Sequence, residues 1–447
     1  MYFMLLTEVM RMRRNALKQL CDWKNASGRK PLIVRGARQV GKTWLMEEFG
    51  RSEFKDVVYV NFDSDRNMAR IFDGDLHVPR LIAGLEIAGG KKIVPADTLI
   101  VFDEIQEAPR ALASLKYFCE EAPEYAVIAA GSLLGVAMHR GAGFPVGKVD
   151  FLELCPLSFS EFLAASGNGQ LLELLQSGDW QLVAAFRERY VEALRLYYFI
   201  GGMPEAVQTF IDGGGLAAVR KVQENILTAY EQDFSKHAPT ETVPRIRMVW
   251  QSIPSQLAKE NRRFVYGSLR RGARAKDFEL AIQWLRDCGL IEQVIRLTKP
   301  ALPLPAYAED GFKMFLLDVG LLGAMSNLDA GTILEGNRLF SEFKGALTEQ
   351  YVAQQLRSES GIKPFYWSAE RGQAEVDFVF QLGMELYPLE VKAEENLKAK
   401  SLRVYADKYA PPVSVRCSMS DFRNETWLIN LPLYALCRLP DICGRRA

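Results

Sequence analysis

The stretch Leu32-Ile-Val-Arg-Gly36-Ala-Arg-Gln-Val-Gly41-Lys42-Thr43 runs from a short apolar, β-branched segment straight into two glycines, a lysine and a threonine. Its last eight residues fit the spacing G-x-x-x-x-G-K-[ST], and they stand where that spacing has physical meaning, after a buried strand and at the start of a helix. The glycines let the backbone curl until successive N–H groups face one anion, and the helix N-terminus adds partial positive charge. Gly36, Ala37, Arg38, Gln39, Val40, Gly41, Lys42 and Thr43 are therefore expected to cradle the phosphates of a nucleotide. Lys42 would reach the β and γ groups, and Thr43 would hold Mg²⁺ through its hydroxyl.

A second motif supports the first. Leu99-Ile-Val-Phe-Asp103-Glu104 is an apolar strand ending in two acids, which in an open parallel sheet emerge at the carboxyl edge beside the phosphate loop. Asp103 is expected to bind Mg²⁺ through its water shell, and Glu104 to act as general base on the attacking water. One further strand, Val57–Phe62, falls between the motifs. A strand inserted between loop strand and acid strand marks the ATPase branch with an extra catalytic glutamate, which kinase-like P-loop proteins lack. The guanine-reading N-K-x-D signature does not occur in the chain, so ATP is expected rather than GTP. Beyond the strand Tyr125–Ala130, Ser132 is placed to sense the γ-phosphate, and Arg140, in a glycine-rich loop, is the candidate arginine finger.

Outward from these motifs, strands at Pro31–Val34, Val57–Phe62, Thr98–Phe102, Tyr125–Ala130 and Val149–Leu154 alternate with helical segments such as Thr43–Phe49 and Arg110–Glu120. That alternation predicts an α/β fold over residues 1–155, a P-loop core with a parallel sheet covered on both faces. Past Pro156 the periodicity turns helical, through LSFSEFLAAS, Leu182–Tyr198 and Leu216–Phe234, giving a helical lid or linker at 156–241. Residues 242–335 read as helices followed by the alternating runs IEQVIRL and FKMFLLD, a winged-helix-like module. From 336 to 447 the order is α-β-β-β-α-β.

Composition bounds the rest. At 447 residues the chain is long enough for several domains, and its 55 basic and 55 acidic side chains cancel. No whole-molecule field draws it to nucleic acid or acidic membranes, so local clusters decide. One such cluster, Arg262, Arg263, Arg270, Arg271, Arg274 and Lys276, crowds the turn before the third helix of the presumed winged-helix segment. Phosphates of DNA or RNA are its expected contacts. Seven cysteines form no paired framework and suit a reducing cytoplasm. The start, MYFMLLTEVMRMRR, places apolar before basic residues, the reverse of a secretory signal, and no apolar run is long enough to span a bilayer. A cytoplasmic chain without membrane contact is expected. His77, His139 and His237 are too dispersed to hold a metal.

Taken together, VRGARQVGKT, LIVFDEIQEAP, AAGSLL, CPLSFSEFL, GGMPEAV and AEVDFVF…PLEVK resemble, over nearly the whole chain, the prokaryotic AAA-type ATPases fused to a C-terminal domain of unknown function, DUF4143. The resemblance implies an ATP-binding AAA-like core, a winged-helix-like middle and a C-terminal fold similar to restriction-type nucleases, with no established substrate. In that last fold AEVDFVFQLGMELYPLEVK resembles the PD-(D/E)xK arrangement. Glu390 and Lys392 share one side of a strand, so one can bind a divalent cation together with Asp377 while the other orients or activates water. Glu349 on the preceding helix is the natural fourth member, and Glu375 a further ligand on the face of Asp377. Two readings stay open. In one, an Mg²⁺-dependent ATP-hydrolysing switch or motor controls DNA binding and a C-terminal nuclease. In the other, a signalling or scaffold ATPase carries a catalytically dead nuclease-like domain that binds a protein partner. Either would allow a homo-oligomer in which a second subunit supplies the finger.

Overall fold

The apolar runs of the front half are long enough to bury on both faces, and in the computed structural model of the chain they lie side by side in one parallel sheet. The structure describes residues 12–65, 67–131, 143–259, 262–336, 341–369, 374–394 and 399–444. It divides into two compact units, Arg13–Cys155 with Asp287–Gly289, and Pro156–Arg286 with Leu290–Ala447.

The front unit contains α1 (Ala16–Asn25), β1 (Leu32–Arg35), α2 (Lys42–Glu53), β2 (Asp56–Asn61), α3 (Val78–Gly89), β3 (Thr98–Asp103), α4 (Pro109–Glu121), β4 (Ala126–Ala130) and β5 (Asp150–Glu153). The sheet order is β2-β3-β4-β1-β5, with every pair parallel. Central strands β3 and β4 are buried at every residue, whereas the edge strands β2 and β5 keep exposed positions, as coverage by helices on both faces requires. Val58, Val60, Ile100 and Phe102 share a core with Leu81 and Leu85 of α3 and Leu115 and Phe118 of α4. Each such large side chain contributes about 1.5–3 kcal/mol by leaving water. Proline at the start of α4 and a left-handed glycine, Gly90, after α3 set two of the helix limits.

One expectation is corrected here. The strand between the loop strand β1 and the acid strand β3 is β4, while β2, the segment predicted for that place, lies outside β3 at the sheet edge. Local sequence marks a strand but not its neighbours: the α2 crossover carries the chain past two places that β3 and β4 fill later.

The rear unit opens with helices between Phe159 and His237, the first fixed by a capping box in which Ser158 and Glu161 each bond the other's backbone N–H. The runs expected to form the wing of a separate module, β6 (Ile291–Leu297) and β7 (Ala308–Leu316), stand at one end of an eight-stranded sheet. It continues through β8 (Phe365–Ser368), β9 (Glu375–Leu382), β10 (Glu385–Val391), β11 (Ser414–Ser418), β12 (Arg423–Asn424) and β13 (Leu428–Pro432), in the order β12-β13-β11-β10-β9-β8-β6-β7. β6 joins β8 in parallel, with Ile295 opposite Phe365. A lone hairpin is marginal in water, and this pairing buries the last six residues of β7. β12 and β13 lie beyond the predicted order, and all five residues of β13 are buried.

The GGMPEAV and CPLSFSEFL motifs meet inside this unit. Buried Asp318 accepts from the N–H groups of Gly202 (2.6 Å) and Leu321 (3.0 Å) and from Gln354 Nε2 (3.0 Å). A β-carbon at Gly202 would stand 2.1 Å from the Leu157 carbonyl oxygen, so the second glycine of the pair is required by packing. Among the described residues no helix is long and apolar enough to cross a membrane.

Candidate functional site

The phosphate loop connects β1 to α2 and takes three positive φ angles in six residues, at Gly36 (147°), Gln39 (66°) and Gly41 (91°). Such a sequence of turns points backbone N–H groups at a common centre. Gly36 is also pressed from outside, since a β-carbon there would lie 2.3 Å from the carbonyl oxygen of Leu154. A residue that sequence reasoning missed braces the loop: buried Arg14 donates to Val40 O (3.0 Å) and to Cys155 O (2.6 Å). Its partners are 26 and 141 positions away, and an arginine before a helix carries no local signal for that role.

Lys42 opens α2 with its ammonium buried beneath the loop, donating to Gly36 O (3.0 Å) and Ala37 O (2.7 Å). Burial lowers its pKa to about 8, against the opposing pull of Glu104 and Asp103. Both acceptors are neutral, so an anion seated in the loop restores the charge that burial opposes.

At the carboxyl end of β3, Asp103 is 2% exposed. Its Oδ2 accepts from Thr43 Oγ1 (2.7 Å) and Tyr59 Oη (2.6 Å), and its Oδ1 from the Glu104 N–H (2.9 Å). Among the described residues no cation lies within ion-pair distance of it. Glu104 takes left-handed angles (φ 50°, ψ 44°), and its carboxylate accepts from Gln106 Nε2 at 2.5 Å. A buried carboxylate held only by neutral donors, next to a hydroxyl and a lysine beneath a phosphate nest, fits a magnesium nucleotide: Lys42 and the loop N–H groups would take the phosphates, Thr43 and Asp103 the ion. Ser132 and Arg140 lie outside the described residues.

The rear acids have a different neighbour. Lys313 of β7 is fully buried, and its ammonium stands 2.7 Å from Glu375, 3.4 Å from Glu349 and 3.5 Å from Asp377. Arg262 adds a second cation against Glu349. Asp377 Oδ2 accepts from the Val391 N–H at 2.8 Å, which ties it to the end of β10. Glu390 is engaged by Lys392 at 2.6 Å. Burial pushes Glu349 up, helped by the charge of Asp377; burial works the same way on Asp377, but Lys313, the Val391 N–H and Arg262 hold it below its ordinary value. The ammonium of Lys313 is held above its usual value by the three acids against its own burial. Glu349, Glu375 and Asp377 thus stand around a lysine, whereas Glu390, which the motif joins to Asp377 at a metal ion, is paired with Lys392. Among the described residues no three His, Cys, Asp or Glu side chains are grouped to hold a metal ion. Lys313 was missed because FKMFLLD was assigned to another module; its signal was a lone charge inside an apolar strand, which burial obliges to find acids.

The basic cluster separates into two parts. Arg262 turns inward to Glu349. Arg270, Arg271, Arg274 and Lys276 are exposed, and no acid pairs with their side chains among the described residues.

Family models match three stretches: an AAA domain at residues 28–163, a domain of unknown function (DUF8612) at 191–332, and a domain of unknown function (DUF4143) at 344–434. Residues 28–163, which hold the parallel sheet and the phosphate loop, thus match an AAA domain, and residues 344–434 match a DUF4143 domain. No curated protein matches it. Among solved structures, the Walker-type ATPase PABY2304 of Pyrococcus abyssi is similar at 13% identity, over 71% of this chain and 96% of that one, with a TM-score of 0.45. The Orc1 protein of Aeropyrum pernix, in complex with DNA, is similar at 14% identity over 72% and 95%, with a TM-score of 0.30. Cdc6p from Pyrobaculum aerophilum follows at 12% over 72% and 96%, with a TM-score of 0.25.

Proposed function

We propose that the chain is an ATP-hydrolysing switch, dependent on Mg²⁺, whose rear unit contacts a polyanion and does not cut it. The observation that carries the first part is the convergence of Lys42, Thr43 and Asp103, with Thr43 Oγ1 already 2.7 Å from the Asp103 carboxylate. Mg²⁺, held by Thr43 and Asp103, would supply charge neutralisation on the phosphates. The chain's own residues do the rest: the loop N–H groups and Lys42 bind the phosphates, Asp103 and Thr43 orient the ion, and Glu104 is the base that takes the proton of the attacking water. Gln106 donates to the Glu104 carboxylate and so fixes its orientation.

The rear acids support the binding reading over the nuclease one, because the Lys313 ammonium already occupies the point on which Glu349, Glu375 and Asp377 converge. Arg270, Arg271, Arg274 and Lys276 are the surface offered to DNA. Nucleotide binding and turnover test the front site. Lys42→Ala is expected to abolish ATP binding, and Glu104→Gln to keep binding while losing turnover by about 10²–10⁴-fold, the usual worth of a general base. Wild-type turnover in Glu104→Gln would remove Glu104 from that role.

A further inference from the structure

β2 is an edge strand whose middle residue, Tyr59, is 36% exposed. An outward tyrosine on such a strand ordinarily has no task beyond covering its neighbours. This one ends inside the candidate nucleotide site. In the β2–β3 ladder Asn61 is opposite Asp103 and Tyr59 is opposite Val101, so Tyr59 and Asp103 are diagonal neighbours, a separation that an aromatic side chain spans. The phenol oxygen reaches Asp103 Oδ2 at 2.6 Å.

An ionised carboxylate only accepts, so the proton belongs to Tyr59. Oδ2 therefore receives two hydroxyls, from Thr43 on α2 and Tyr59 on β2, while Oδ1 receives the Glu104 N–H. Three donors from three segments fix the plane of the carboxylate. They are not equivalent once a nucleotide and its ion arrive, because Thr43 is itself a residue that would hold the ion. The Tyr59 bond and the Glu104 N–H then hold the carboxylate in place.

We propose that Tyr59 is a positioning residue for the divalent ion, acting through Asp103, a role that rests on the ATP-binding reading of the site. Phenylalanine at this position keeps the ring and its packing and removes only the donor.

The test is calorimetric binding of the non-hydrolysable analogue AMP-PNP to the full chain, with excess EDTA and with excess Mg²⁺, for wild type and Tyr59→Phe. The gain in affinity that Mg²⁺ brings is expected to fall about tenfold in the variant, within the range of a hydrogen bond to a charged group, while affinity in EDTA stays at the wild-type value. A parallel Mn²⁺ titration of the nucleotide complex by electron paramagnetic resonance is expected to show the same loss. If the Mg²⁺ gain is unchanged, Tyr59 does not orient Asp103. An equal loss with and without metal marks a general structural defect and also overturns the proposal. Absence of any nucleotide heat in the wild type brings down the ATP reading itself, and this inference with it.

Discussion

Replacing Lys313 by methionine removes the ammonium and keeps most of the stem's volume, so the change is chiefly one of charge. Three carboxylates, Glu349, Glu375 and Asp377, face Lys313 in the native chain, with Arg262 as the other cation. In the variant only Arg262 remains. Breaking a buried ion pair by deleting one partner costs about 3–5 kcal/mol, because the remaining charge stays buried without compensation. That is a large part of the about 5–15 kcal/mol that a native domain has in hand. The sign of the pH dependence follows from Asp377, which the native site holds below its ordinary value. A depressed acid contributes stability above its unfolded pKa, about 3.9 for aspartate, and loses it as pH falls through the folded value. Without Lys313 the buried acids are pushed up instead, so the variant is penalised at neutral pH and its deficit closes as the acids take up protons towards pH ~4 and below. Urea unfolding followed by tryptophan fluorescence, with Trp367 buried on β8 beside the β9 strand of Asp377, reads the difference across pH 4 to 8. A deficit below about 1 kcal/mol, or one that does not change with pH, would refute the claim that Lys313 is the counter-charge of this cluster. The same reasoning expects wild-type protein to cut neither DNA nor RNA with Mg²⁺ or Mn²⁺.

Two other measurements address the front site and the basic turn. Lys42 has a pKa of about 8 and binds phosphate as the ammonium, so above that pH ATP binding must take up a proton and weaken by up to about tenfold per pH unit; calorimetry at alkaline pH in buffers of different ionisation heat should register that uptake, and its absence would place the phosphates elsewhere. Changing Arg270 and Arg271 together to glutamate should weaken duplex DNA binding and lower the slope of log K against log salt by about 2, near one per lost phosphate contact; an unchanged slope would exclude this turn as the contact.

Much of the front site was legible because the chemistry is contiguous. Gly36 to Thr43 are adjacent in sequence, and Asp103 and Glu104 follow an apolar run that can only be a buried strand. What could not be read are contacts that cross the sheet. Tyr59 and Asp103 are 44 positions apart, and the diagonal that joins them exists only once β2 is known to lie beside β3. The place of β2 itself illustrates the same limit, since order within a parallel sheet depends on which crossover passes which position. At the rear, period-2 alternation announced β6 and β7, but nothing local says that a hairpin will extend a sheet whose other strands begin some fifty residues later. A hairpin read as a module of its own leaves Lys313 far from Asp377, although Lys313 is the cation that stands against all three acids.

The two acid clusters are best distinguished by where their positive charge comes from. Asp103 is buried among hydroxyls and an N–H, donors that orient a carboxylate without neutralising it. Asp377 is less enclosed, its side chain 15% exposed, and has Lys313 at 3.5 Å. Transfer of an ion from water into either place has a desolvation cost, and only a site whose carboxylate is not already paired with a cation returns enough to offset it. Mg²⁺ arriving with a nucleotide meets that condition at Asp103. At Asp377 it would have to displace a lysine that is covalently part of the fold and held by two further acids. Similar residues at the ends of two buried strands therefore have opposite prospects, and the difference arises from one lysine in β7.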